Sequence, residues 1–200
     1  MEKVVKNVLI LIAIIIVMGV IAGFFVPKVV SPNGHIYKNE TYPHNFRPTL
    51  QELSDRASYL DTIHFLTPDA KEAVGEMILD AEEDGMCLVV YSSWRSPEQQ
   101  RETYNWVKEN RPEKINNVAK PYQSEHQTGR AVDFVGCPMK NGKRDDSAER
   151  LELKKDFKEL PEYKWLQNNA HKYGFEQSYT VENQDKTGIS PEPWHWFYIK

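Results

Sequence analysis

Two hundred residues with 40% hydrophobic content suit one domain with a proper core plus one membrane segment. The net charge of −4 comes from 25 basic and 29 acidic residues mixed along the chain, which leaves no basic tract for nucleic acid and no block of charge for a polyion.

Taken in order, residues 1–7 read as a short cytoplasmic tail. Val8 to Val26 is an unbroken run of nineteen apolar and glycine residues. At 1.5 Å per residue it nearly crosses a hydrocarbon core of roughly 30 Å, so a transmembrane anchor is expected. A cleaved signal would have a shorter apolar region followed by a small-x-small site, and this run ends Phe24-Phe25-Val26-Pro27. Lys3, Lys6 and the amino terminus before it outweigh Lys28 after it, which favours a cytoplasmic N-terminus and an extracytoplasmic remainder. Residues 27–47, with Pro32, Asn33, Gly34, Pro43 and Asn45, read as a tether in which His35 and His44 are solvated.

The domain is expected over residues 48–200. Thr67-Pro68 starts a helix whose Ala70, Val74, Met77, Ile78 and Ala81 share one face and which Gly85 stops. His64 just ahead of it reads as structural. Met86 to Tyr91 reads as a buried strand delivering Ser92-Ser93-Trp94-Arg95, and Ser96-Pro97-Glu98-Gln99 opens a second helix with a capping-box pattern. An arginine at such a junction can form a forked pair with a carboxylate.

The most informative stretch runs from Ser124 to Asp133. A hydrolytic zinc wants three imidazole or carboxylate ligands and one open position. His126, Asp133 and His195 supply that set. The first two are seven residues apart, wrong for one helical face, so a turn at Gly129 is needed before a strand of Ala131 to Val135. On that strand Asp133 projects from an apolar segment, and a buried carboxylate is costly unless paired or bound to metal. Glu192, three residues before His195, stands where a general base belongs.

Gly136 to about Glu159 reads as a polar surface excursion, with Leu151, Leu153 and Phe157 as a short helix or flap. Pro161 opens a helix burying Trp165, Leu166, Ala170 and Tyr173 and stopping at Gly174; His171 near its end reads as a surface or capping residue. Phe175 to Tyr179 and Trp194 to Ile199 are the last two strands, alternation placing two of the aromatics Trp194, Trp196, Phe197 and Tyr198 in the core. Cys87 and Cys137 are equally compatible with a disulfide and with buried thiols.

Ser-x-His-x-x-Gly-x-Ala-x-Asp followed by Glu-x-Trp-His resembles the VanY-type D-alanyl-D-alanine carboxypeptidases, among the zinc peptidases that include lysostaphin-like enzymes and the hedgehog domain. The resemblance covers about Pro48 to Lys200. It implies an α+β fold with a small antiparallel sheet flanked by helices, one Zn2+, and a peptidoglycan stem peptide losing a C-terminal D-alanine across a D,D- or L,D-bond. It further implies that Arg95 takes the terminal carboxylate and Ser124 hydrogen-bonds the peptide. Gln99 or Gln100 is a candidate to face the substrate, although Gln99 is also the natural capping partner of Ser96. The family commonly carries arginine where this chain has Ser178 and Phe197. An endopeptidase of the same fold is an alternative, and so is a zinc-containing binding module, against which Glu192 speaks.

Overall fold

The fold was analysed in a computed structural model. The structure describes residues 34–35, 40–54, 57–58, 62–141, 143–144 and 157–200. The apolar run of Val8 to Val26 and the expected flap residues Leu151 and Leu153 lie outside them. Among the described residues no helix is long and apolar enough to cross a membrane.

The elements in chain order are β1 (Gln51–Glu52), β2 (Phe65–Leu66), α1 (Pro68–Glu83), β3 (Leu88–Ser92), α2 (Pro97–Asn110), β4 (Ala131–Gly136), β5 (Met139–Lys140), β6 (Lys143–Arg144), α3 (Pro161–Asn169), β7 (Phe175–Gln177), α4 (Gln184–Thr187) and β8 (His195–Tyr198). β3, β4, β8 and β7 form one antiparallel sheet in that order; β1 with β2 and β5 with β6 make two small hairpin-like pairs. The expected α+β arrangement of a small antiparallel sheet with helices is therefore present.

β4 is buried along its whole length, and its alternation decides which side does what. Val132 and Phe134 join Leu88, Val90 and Trp196 in the main core with Ala70, Val74, Met77 and Ile78 of α1 and Leu166 of α3. Val135 turns to the opposite face with Val89, and Asp133 shares that face by the two-residue period. Helix α1 forms where its periodicity expects it, with Pro68 in the first turn, although the Thr67 side chain makes no cap hydrogen bond.

Cys87 and Cys137 form a disulfide with Cα atoms 5.2 Å apart. They flank the Leu88–Gly136 register pair, and the Cys137 N–H donates to the Cys87 carbonyl at 3.1 Å. Residues 40–47 are less of a tether than their composition implies. Tyr42 is buried, its N–H donates to the Tyr122 carbonyl at 2.7 Å, and His44 stacks on the Tyr122 ring at 4.0 Å.

Candidate metal centre

Asp133 sits in the middle of the sheet with a cross-strand neighbour on each side. His195, the first residue of β8, is its partner on one ladder. On the other ladder the register shifts between Val90 and Ser92, so that Ser92 lies opposite Asp133. A bulge of this kind re-aims a side chain, and here the bulged-out Tyr91 is left half-exposed.

His126 reaches the same place from a single 3-10 turn, Glu125–Thr128, that ends at Gly129 with φ 70° and ψ 18°. That left-handed geometry favours glycine, and a Cβ there would lie 2.6 Å from Leu50 Cδ2. The Gly129 carbonyl accepts from Thr67 N–H at 2.8 Å, tying the turn to the start of α1.

His126, Asp133 and His195 are all buried, and one potential ligand atom from each lies within 4.8 Å of the others. Asp133 Oδ1 is 3.4 Å from His126 Nε2 and 3.0 Å from His195 Nδ1. The other ring nitrogens are engaged behind the cluster. His126 Nδ1 lies 2.6 Å from the Ser93 carbonyl, which can only accept, so Nδ1 carries the hydrogen and Nε2 keeps its lone pair. His195 Nε2 lies 3.0 Å from Glu125 Oε2.

The protonation states follow from these contacts. Burial pushes His126 down to about 4, with the Asp133 carboxylate opposing, so its imidazole is neutral near pH 7. Burial raises the Glu125 carboxyl, but hydrogen bonds from His195 and His35 overcome it and bring the group down to about 2. Burial likewise disfavours the His195 imidazolium, yet hydrogen bonds to Asp133 and Glu125 prevail and hold it up at about 10. Two imidazoles and a carboxylate converge here, each buried, with the rear nitrogens donating to a carbonyl and a carboxylate. The donor set fits a zinc ion of the three-ligand type, with the rear contacts fixing tautomer and aim.

One side opens onto a cavity of about 140 Å³ lined by Arg95, Gln100, Ser124, Tyr179, Glu192 and Trp194 with the three ligand candidates. Glu192 Oε2 stands 4.0 Å from His195 Nδ1, outside the ligand set. Its backbone is pinned, the N–H donating to the Tyr179 carbonyl at 3.0 Å and the carbonyl accepting from His195 N–H at 3.1 Å. Arg95 Nη1 donates to Gln100 Oε1 at 2.7 Å and Nη2 to Ser92 Oγ at 3.1 Å. Both partners are neutral, and among the described residues no carboxylate pairs with this guanidinium.

Gln99 is corrected. Its side chain accepts from Ser96 N–H at 2.9 Å while its own N–H donates to Ser96 Oγ at 3.2 Å, so it closes the capping box and is exposed. Gln100, one residue on, is buried in the cavity wall and donates to the Ala119 carbonyl at 2.6 Å. His64 stays outside the cluster, buried with Nδ1 3.1 Å from Ser93 Oγ. Nothing in the sequence singles out Glu125, and polar composition alone makes His35 a solvated linker residue. His35 Nδ1 instead lies 2.7 Å from Glu125 Oε1.

The chain matches the family model described as VanY, D-alanyl-D-alanine carboxypeptidase, over residues 63–200. It is 31% identical over 169 residues to the YodJ protein of Bacillus subtilis strain 168, covering 82% of this chain and 58% of that one. It is 29% identical over 150 residues to a D-alanyl-D-alanine carboxypeptidase of Enterococcus faecium, covering 74% and 42%. The chain thus spans about half the length of these curated relatives. Among solved structures it is similar to the LdcB LD-carboxypeptidase, with a TM-score of 0.69 at 30% identity over 86% of this chain and 79% of that one. It shares its fold with VanYB in complex with D-alanine-D-alanine, with a TM-score of 0.64 at 24% identity over 84% and 87%. A matched model of that extent, in a chain that shares the fold of solved VanY-type structures, places this protein in the VanY family of D-alanyl-D-alanine carboxypeptidases.

Proposed function

We propose that the chain is a membrane-anchored, zinc-dependent carboxypeptidase that removes the C-terminal D-alanine of a peptidoglycan stem peptide. The observation that carries the reading is one cavity shared by a carboxylate-seeking Arg95, the base candidate Glu192 and the three ligand candidates. Its volume is well below the roughly 300–1,000 Å³ of pockets for drug-sized ligands, which suits one small terminal residue. Enterococcal relatives are D-alanyl-D-alanine carboxypeptidases and the similar LdcB is an LD-carboxypeptidase, so both bonds are candidates here.

His126, Asp133 and His195 would hold zinc, which supplies polarisation of the scissile carbonyl and a water nucleophile near neutral pH. Arg95 fixes the terminal carboxylate by its free N–H groups, and that sets the last peptide bond in the cavity. Glu192 takes a proton from the attacking water and hands it to the departing amine, so that each proton lost by water reappears on product. Ser124, buried at the cavity wall, is placed to hydrogen-bond the bound peptide. Glu192 supports an enzyme over a binding module, which needs no base. The Cys87–Cys137 disulfide supports an extracytoplasmic domain behind the Val8 to Val26 anchor, since such bonds persist in oxidising compartments.

The test is mass spectrometry of stem pentapeptide and tetrapeptide incubated with the zinc-loaded chain, with Glu192→Ala as control. One D-alanine released from the pentapeptide alone identifies a D,D-enzyme, and release from the tetrapeptide an L,D-enzyme. Cleavage within the peptide would establish an endopeptidase instead. No product with zinc firmly bound would remove the carboxypeptidase reading.

A further inference from the structure

We infer that His35, nine residues beyond the end of the apolar run, is a positioning residue of the metal centre. It acts through Glu125 on the ring of His195. The inference rests on the metal-centre reading, but it concerns a segment that the reading leaves idle.

His195 can present Nδ1 to the ligand cluster only while its ring keeps one orientation. Its rear nitrogen meets Glu125 Oε2 at 3.0 Å. A carboxylate held by one oxygen still turns about its last torsion, which is broad and roughly two-fold. The second oxygen is the one His35 holds, with Nδ1 at 2.7 Å. With both oxygens tied, the plane of the Glu125 carboxylate is fixed, and the His195 ring with it. Rear partners of this kind set ligand orientation in metal sites, and their loss costs about 10–100-fold in metal affinity or activity.

Several independent contacts show that the segment carrying His35 is built into the domain. Gly34 has φ +82°, and a Cβ there would lie 2.8 Å from Arg130 Nη1 and 3.2 Å from the Phe197 ring. Only glycine fits a backbone so turned and so close. The Gly34 carbonyl accepts from the buried Tyr42 hydroxyl at 2.9 Å. The His35 ring packs on Phe197 at 4.8 Å between centroids, and the Arg130 guanidinium lies 5.0 Å from that same ring. The His35 side chain is 13% exposed. A residue expected to be solvated is thus enclosed, turned inward and aimed at a fully buried carboxylate.

The 200-residue chain in detergent micelles is titrated with zinc against a chromophoric chelator, and its cobalt(II) form is followed by visible absorption. His35→Ala should weaken zinc about tenfold, the lower end of the range for such partners, and change the cobalt ligand-field bands. His35→Asn should restore both, because its amide nitrogen can stand where Nδ1 stood. In a Glu125→Ala background, His35→Ala should add nothing further, since the two act in series. Parent-like zinc affinity and cobalt bands in His35→Ala would overturn the inference. So would equal weakening by Ala and Asn, which would mean packing alone, or additivity with Glu125→Ala. A parent chain that binds no zinc would remove the metal-centre reading itself, a result distinct from any of these.

Discussion

Arg95→Ala tests the carboxylate clamp most directly. A guanidinium has five N–H donors, and Gln100 Oε1 and Ser92 Oγ take one from each Nη. One hydrogen on each Nη and the one on Nε remain, enough donors for a forked contact with a carboxylate. Hydrogen bonds to charged groups contribute about 1.5–3 kcal/mol each, and water entering the truncated side restores part of that. A net loss of about 3–4 kcal/mol at 1.36 kcal/mol per decade gives roughly 200- to 900-fold in kcat/KM for a free-acid peptide. The truncation also leaves the buried Gln100 oxygen without its donor, at about 1–3 kcal/mol of stability. The assay is therefore the ratio of kcat/KM on the free acid to that on the C-terminal amide, which instability does not move. The parent should prefer the acid by two to three decades, roughly the span worked out above, and Arg95→Ala should bring the ratio near one. A parent indifferent to amidation, or a variant keeping the preference, would refute the clamp.

Glu192→Gln should lose about 10²–10⁴-fold in kcat, the range for a general base, with zinc content by elemental analysis unchanged; loss of the metal would make Glu192 a ligand. Because contacts to Asp133 and Glu125 hold the His195 imidazolium up at about 10, zinc must displace a proton there, whereas the already neutral His126, at about 4, releases none. Calorimetry near pH 7.5 in buffers of different ionisation heat should give more than one proton per zinc, one from His195 and the rest from the zinc-bound water, and a value below about one would contradict the His195 contacts. In the chelator-treated chain this raised group stabilises the fold fully below its unfolded value of about 6.5 and loses that contribution as pH climbs to about 10, so Tm should fall across that window. Replacing Cys87 and Cys137 together by Ser removes a cross-link of sequence separation 50, for which chain entropy gives about 4 kcal/mol; an unchanged denaturant midpoint would show that the bond constrains little.

What could be read from the sequence was what local pattern encodes. Pro68 and the spacing of Ala70, Val74 and Met77 define α1 without outside help, and Ala131 to Val135, apolar but for Asp133 and following the glycine turn, reads as the strand that the structure shows. His126, Asp133 and His195 are legible jointly, as a three-ligand set with Glu192 three residues before the last, and only Asp133 is out of place by itself, on an apolar strand. Glu125 is not legible, since a glutamate beside a histidine is ordinary until a strand 70 residues later brings His195 Nε2 against it. Gln99 and Gln100 differ by one step around a helix, and only the packing of α2 against the loop at Ala119 decides which faces inward. Polar composition in residues 27–47 reads as a tether because the groups that meet Gly34 and His35, Arg130 and Phe197, come from much later in the chain.

The sheet order β3-β4-β8-β7 has a consequence for how the molecule is made. β8 follows β7 in the chain, yet it occupies an inner position and leaves β7 at the edge. Until β8 has been made, β4 has one free ladder and β7 has no neighbour in the sheet. His195 arrives on that inner strand, so a nascent chain stalled or cleaved before residue 195 cannot assemble the cluster. Non-local closure of this sort is slow compared with the local hairpins and helices before it. The site is therefore completed late, by the same strand that closes the sheet.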